Sequence, residues 1–202
     1  MTDTSHTRRT ALYFGSFNPP HNGHMAIGRH AVEGGYADSV AYVVSPQSPF
    51  KSRKELAPEA DRVAMLSLAV GECGMSSFAT VSDIELSMPR PSYTFDTVTR
   101  LRELHPHTRF ALLIGADNLP GFSRWHRAEE LRAVVDDILV YPRSGYTGPF
   151  PPWCRPMADA PLLDISATEL RAKLLRHEEV TRLLPPIVEK YIKEKGLYAA
   201  YL

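Results

Sequence analysis

The chain has 202 residues, 44% of them hydrophobic, and 23 basic side chains balance 23 acidic ones to a formal net charge of +0. That length bounds the chain to one large domain or one domain with a small appendage, and the apolar share is enough for a real core. Zero net charge leaves no electrostatic footprint for a nucleic-acid or membrane partner, so an anionic ligand must meet positive charge that is concentrated locally.

The opening "MTDTSHTRRT" has no apolar stretch behind its charges and does not read as a secretory signal; residues 1–10 are expected to be a flexible tail. No apolar run approaches the roughly 18 residues of a membrane span. Cys73 and Cys154 form neither a CxxC nor a metal-ligand spacing, and a reduced, cytoplasmic protein is the expectation.

Taken in order, "ALYF" (11–14) predicts a buried strand that runs into a glycine loop, and "GHMAIGRHAVEGG" predicts a helix closed by Gly34 and Gly35. "SVAYVVSP" (39–46) predicts a second strand, so the first 46 residues form a β-α-β unit and favour a parallel sheet. A loop with Lys51, Arg53 and Lys54 follows, then an amphipathic helix over 59–72 and a strand within 78–86. Residues 88–106 open as a Pro-rich loop and become a helix near Thr94. The most apolar strand lies within 108–119 and ends at Gly115-Ala116-Asp117. Another strand is expected in 136–143, a Pro/Gly-rich loop over about 144–161, and a short last strand in "PLLDIS". Helices in "ATELRAKLLRHE" and "LPPIVEKYIKEKGLY" complete the chain. There is no repeat and no linker. The pattern predicts one α/β domain over 11–202, with a doubly wound, mostly parallel sheet flanked by helices.

Such sheets bind ligands beyond the carboxyl ends of their strands. "GSFNPPHNGH" (15–24) lies at the first of these ends. His21 and His24 open the first helix, where free backbone N–H groups and the helix dipole favour an anion. Two imidazole donors beside those amides suit a phosphate whose charge grows during a reaction. Gly15 and Gly23 are expected to let a ligand approach the backbone. "ISATELR" (165–171) offers Ser166 and Thr168 at another helix start and Arg171 one turn on. By itself this motif reads equally as a capping residue followed by an exposed arginine; beside a first anion site it suits a triphosphate tail. Asp117 reads as a ribose ligand or a capping aspartate, Trp125 as a stacking platform or core, and "PSYT" (91–94) as a ligand edge or a plain turn. The phosphate loops GxxxxGK[ST] and GxGxxG are absent.

These pieces together closely resemble the bacterial nicotinate-mononucleotide adenylyltransferases of the HxGH nucleotidyltransferase superfamily. "GSFNPPHNGH", "DRVAML", "PSYTFDTV", "IGADNL", the "RW" at 124–125, "ISATELR" and "LLPPIVEKYIKEKGLY" follow that family's order and spacing across residues 12–198. The resemblance implies a Rossmann-like fold. It implies adenylyl transfer from ATP to nicotinate mononucleotide, giving deamido-NAD and pyrophosphate, with Mg2+ bound through the ATP phosphates and no metal held by protein ligands. By the same resemblance His21, His24 and Arg171 serve catalysis. ATP would be bound by these three with Gly15, Ser16, Phe17, Ile165, Ser166 and Thr168. Lys51, Ser92, Tyr93, Thr94, Asp117 and Trp125 would bind the mononucleotide. The stretch "SPFKSRKEL" departs from the family's Pro-Pro-His run, so Lys51 and Lys54 both stand as the basic ligand; Ala167 replaces a common serine. The alternatives are a nicotinamide-mononucleotide or other HxGH transferase, and a nucleotide-binding module without catalysis. No nucleic acid or membrane is expected as a partner, and a homo-oligomer is left open.

Overall fold

The apolar run after Thr10 forms strand β1 (Arg9–Gly15), followed by helix α1 (Asn22–Glu33) and strand β2 (Ser39–Val44). The structure is a computed structural model, and it describes residues 7–46, 56–163 and 165–198. Helix α2 (Glu59–Glu72) leads to strand β3 (Ala79–Ser82) and a 3-10 turn at Ile84–Ser87. Helix α3 (Thr94–Leu104) crosses back to strand β4 (Arg109–Gly115). A long 3-10 segment (Ala116–Arg124) and helix α4 (Ala128–Val134) precede strand β5 (Asp137–Tyr141). The two-residue strand β6 (Arg155–Pro156), helix α5 (Ala167–Leu175) and helix α6 (Pro186–Lys195) follow.

All six strands are parallel, in the order β3-β2-β1-β4-β5-β6. The order reverses between β1 and β4, and a crevice opens at their carboxyl ends, where open α/β sheets take ligands. Strand residues alternate between two cores, as the two-residue side-chain period requires. Ala11, Tyr13, Val40, Tyr42 and Leu113 pack with α1, α2, α5 and α6. Leu12, Val43, Leu112, Ile114 and Val140 pack with α3 and α4 on the other face.

Two expectations change. Arg9 and Thr10, expected in a flexible tail, belong to β1. Arg9 N–H donates to Asp38 Oδ2 at 2.7 Å, and the Thr10 and Ser39 hydroxyls are 3.0 Å apart. These polar pairs extend the strand beyond its apolar run. The last strand is not "PLLDIS": 161–163 and 165–166 carry no strand, and β6 lies inside the segment expected to be loop. Arg155 and Pro156 pair with Leu139 and Val140 at the sheet edge, and Met157 N–H donates to the Val140 carbonyl. Two residues are too short for a period-2 pattern to register.

Candidate active site

Helix α1 starts at the carboxyl end of β1, and His21 is its N-cap, extended at φ −138° and ψ 169°. His21 N–H donates to His24 Nδ1 at 3.2 Å, so the third residue of the helix caps its first backbone donor. Because Nδ1 accepts, the proton of the neutral His24 ring sits on Nε2. The two rings stack with centroids 3.6 Å and planes 22° apart. Beneath His24 lie Phe17 and Tyr13, both edge-on at 5.0 and 6.0 Å, while the Tyr42 hydroxyl donates to the His24 carbonyl at 3.2 Å. Neighbouring aromatic rings therefore fix the His24 imidazole. Phe17 reaches its place from a left-handed backbone, φ 45°.

Gly15 and Gly23 line the candidate cavity, and each also makes room for one of the protein's own rings. A Cβ on Gly15 would stand 3.1 Å from the Phe17 ring, and one on Gly23 3.1 Å from the His21 ring.

His21 is buried, and among the described residues its Nδ1 has no hydrogen-bond partner. Burial first, then the charge of Arg143, lowers its pKa from 6.5 to about 3. The folded protein therefore keeps this ring neutral while the unfolded chain protonates it below about pH 6.5. Stability is fully present above that pH and falls as pH drops toward 3, by at most about 1.4 kcal/mol per pH unit from this group. Chemical denaturation of wild type and His21→Asn between pH 7 and 4 is expected to show a shallower pH slope in the variant. Equal slopes would remove His21 as the source.

A cavity of about 340 Å³ brings the histidine pair together with Gly15–Phe17 and with Ile165, Ser166 and Thr168. Two helix starts, those of α1 and α5, thus line one space. Ser166 is the N-cap of α5; its hydroxyl accepts from Glu169 N–H at 3.4 Å, so capping and site placement coexist. Arg171 does not line this cavity. Its Nη1 donates to the Asn18 carbonyl at 3.0 Å and its Nη2 to Thr168 Oγ1 at 3.3 Å, which ties α5 to the loop after β1. Asp117 lines the cavity from the end of β4, and its Oδ1 lies 3.7 Å from Arg143 Nε.

Arg143, Tyr13 and Tyr141 were not singled out from sequence, yet all three line the cavity. The two tyrosine hydroxyls hydrogen-bond at 3.1 Å. Arg143 had a readable signal: "YPR" stands at the carboxyl end of a predicted strand, where functional residues gather.

Ser92, Tyr93, Thr94 and Trp125 do not line that cavity. They lie on two other stretches, the start of α3 and the end of the 3-10 segment that follows β4. Tyr93 is the N-cap of α3, Thr94 its first residue, and Ser92 is buried. Trp125 closes the 3-10 segment, with its ring 5.2 Å from Phe122. The link between the two stretches is the Tyr93 ring stacked on His126, centroids 4.3 Å apart. Lys51, Arg53 and Lys54 lie outside the described residues.

The cytidylyltransferase-like family model matches residues 12–173. A Cytophaga hutchinsonii protein named "probable nicotinate-nucleotide adenylyltransferase" is 38% identical over 195 residues, covering 96% of this chain and 100% of its own length. A Bacteroides fragilis protein of the same name is 38% identical over 187 residues, covering 91% and 90%. The chain belongs to the nicotinate-nucleotide adenylyltransferase family. As a member of that family it is a nucleotidyltransferase enzyme. The adenylyltransferase fold recurs in the solved structure of Plasmodium falciparum nicotinic acid mononucleotide adenylyltransferase complexed with NaAD. Its TM-score is 0.81 at 19% identity, over 95% of this chain and 98% of that one. The same protein complexed with APC superposes with a TM-score of 0.79. Among the described residues of this adenylyltransferase, no three histidine, cysteine or acidic side chains cluster as metal ligands, and no helix is long and apolar enough to cross a membrane.

Proposed function

We propose that this enzyme transfers the adenylyl group of ATP to the phosphate of nicotinate mononucleotide, releasing pyrophosphate and forming deamido-NAD. The observation that carries this reading is the stacked His21–His24 pair at one helix start, in the same cavity as the Ser166 and Thr168 helix start. ATP is assigned to this cavity. The Gly15–Phe17 segment and Ile165 bound the adenylate part, and Ser166, Thr168 and Arg171 hold the outer phosphates. Asp117 takes a ribose hydroxyl, and Arg143 adds a cation near the phosphates. Ser92, Tyr93, Thr94 and Trp125 hold the nicotinate end, with Trp125 stacked on its ring; Lys51 or Lys54 supplies a further cation.

The attacking mononucleotide phosphate is ionised near neutral pH, so no general base is needed. Catalysis is alignment of two anions and stabilisation of the charge that builds at the α-phosphorus and on the leaving pyrophosphate. The Nε2–H of His24 donates there. Neutral His21 donates without adding a charge that would have to be desolvated. Mg2+ neutralises phosphate oxygens when bound. Among the described residues Asp117 is the carboxylate that lines the cavity, a donor set that suits a metal carried mainly by phosphate and water. Cys73 and Cys154 are free thiols, in keeping with work in the cytoplasm.

Pyrophosphate release with magnesium-ATP, compared between nicotinate and nicotinamide mononucleotide, tests the reading. A strong preference for the nicotinate form is expected. Equal use would overturn the assignment of the nicotinate end, and no release with either would overturn the reaction.

A further inference from the structure

The residues assigned to the nicotinate end come from two stretches of the chain, the start of α3 and the turn between the 3-10 segment and α4. Two side-chain contacts join these stretches. The His126 ring stacks on the Tyr93 ring, with centroids 4.3 Å and planes 29° apart. The next residue, Arg127, places its guanidinium carbon 3.8 Å from the centroid of the Phe95 ring. Consecutive residues of one stretch thus cover alternate aromatic residues of the other.

The parts of this contact are supported to different degrees. Phe95 is buried in the same core as Phe122 and Leu131. Arg127 is the N-cap of α4, in the left-handed region at φ 54° and ψ 43°, and its Nε donates to Glu130 Oε1 at 2.8 Å. Its carbonyl accepts from Leu131 N–H at 2.8 Å, and Trp125 N–H donates to the Phe122 carbonyl at 3.0 Å. The turn 125–127 is therefore fixed to α4 and to the 3-10 segment. Tyr93 is held by its backbone. As the N-cap of α3 its carbonyl accepts from Thr97 N–H at 3.1 Å and from Thr97 Oγ1 at 3.2 Å. A capped backbone fixes the Tyr93 Cα and leaves the side-chain torsions to be chosen. The stack on His126 chooses them. His126 is itself exposed, so this ring pair is a surface contact that adds little to the stability of the core.

We propose that His126 is a positioning residue for the mononucleotide. Its ring sets the direction of the Tyr93 ring. With Arg127 it clasps the start of α3 to the turn that carries Trp125, so that Tyr93, Thr94 and Trp125 keep a fixed spacing. The proposal rests on the assignment of those three residues to the nicotinate end made above. A flat ring taken up between separate stretches binds more tightly where those stretches are held in place beforehand, because less freedom is lost on binding. His126 acts through Tyr93 and Trp125 and not on the reacting phosphates, so its influence falls on mononucleotide binding and not on the chemical step.

The test compares His126→Ala with His126→Phe, which keeps a flat ring for Tyr93 and removes the imidazole nitrogens. Steady-state kinetics with each substrate varied is read together with calorimetric binding of nicotinate mononucleotide and thermal unfolding. In His126→Ala, KM and the calorimetric Kd for the mononucleotide are expected to rise about three- to tenfold, the worth of one aromatic pair. Meanwhile kcat and KM for ATP should stay within about twofold, and the melting temperature within about 2 °C. His126→Phe is expected to return the mononucleotide KM to within about twofold of wild type. An unchanged or lowered mononucleotide KM in folded His126→Ala overturns the proposal, and so does an equal loss toward both substrates. A His126→Phe enzyme as impaired as His126→Ala also overturns it, because the imidazole itself would then touch the substrate. If His126→Ala does not fold, Arg127→Met, which removes the cation from Phe95, decides by the same split. Failure of the underlying reading is separate: it would appear as wild-type protein that neither binds nicotinate mononucleotide nor releases pyrophosphate with it.

Discussion

His24→Ala is expected to lower kcat by about 10²–10³-fold, the loss seen when one donor to a developing negative charge is removed. The donor at issue is Nε2–H, because Nδ1 is occupied by the His21 N–H at 3.2 Å. The ring stands between the His21 face at 3.6 Å and the Phe17 edge at 5.0 Å, so its direction is set before ligand arrives. The loss should fall on kcat more than on KM for ATP, because the interaction strengthens as charge builds. Stability should fall by only about 1 kcal/mol, the cost of the lost helix cap. Steady-state kinetics and thermal unfolding on the same preparation separate the two effects. A variant with near-wild-type turnover would remove His24 from the chemistry. A large drop in melting temperature alongside the lost activity would mean that the fold, not the donor, had been tested.

Arg62→Ala is expected to cost about 3–5 kcal/mol of stability, from the cavity it leaves and the buried carbonyls it leaves unpaired. The Arg62 side chain is fully buried. Its Nε donates to the Ala57 carbonyl at 3.1 Å, Nη1 to the Ser16 and Ser45 carbonyls at 2.7 Å each, and Nη2 to the Pro46 carbonyl at 3.1 Å. Alanine would leave these acceptors unpaired in a space that also loses its filling. For a chain of this size the melting temperature should drop by roughly 6–20 °C. Arg62→Lys should fall in between, because one ammonium carries three donors and cannot match the planar fork. Unfolding within a degree or two of wild type in Arg62→Ala would show that water replaces the guanidinium without cost. The functional consequence is specific. The carbonyls of Ser16, Ser45 and Pro46 lie at the carboxyl ends of β1 and β2, so the loop that carries the histidines loses its tether to the neighbouring strand.

The same geometry explains how residues far apart in the chain become one site. Asn18 Oδ1 accepts from Ala57 N–H and from the Tyr198 hydroxyl, both at 2.9 Å, and its carbonyl accepts from Arg171. The loop after β1 is thus held by the start of α2, by α5 and by the residues beyond α6. The "GLY" at 196–198, which counted only toward the resemblance, is a support for the loop after β1.

Much was readable from the residues alone. Apolar runs bounded by glycine and proline marked β1, β2, β4 and β5, and their alternation with amphipathic stretches required parallel pairing. A helix start after β1 bearing His21 and His24 implied an anion site, because the orphan N–H groups of a helix end are a local property. Those features depend on neighbours within about one turn, which a sequence displays directly. What only the tertiary structure decided depends on atoms brought together across the chain. Gly15 and Gly23 line the cavity, and only the fold shows that they also make room for Phe17 and His21. Arg171 carries the right charge, but its position follows from a carbonyl 153 residues earlier. The burial that holds His21 neutral and the capture of Arg62 by four carbonyls are both desolvation effects. Desolvation is set by which surfaces the fold closes over a group, and no local pattern of residues records it.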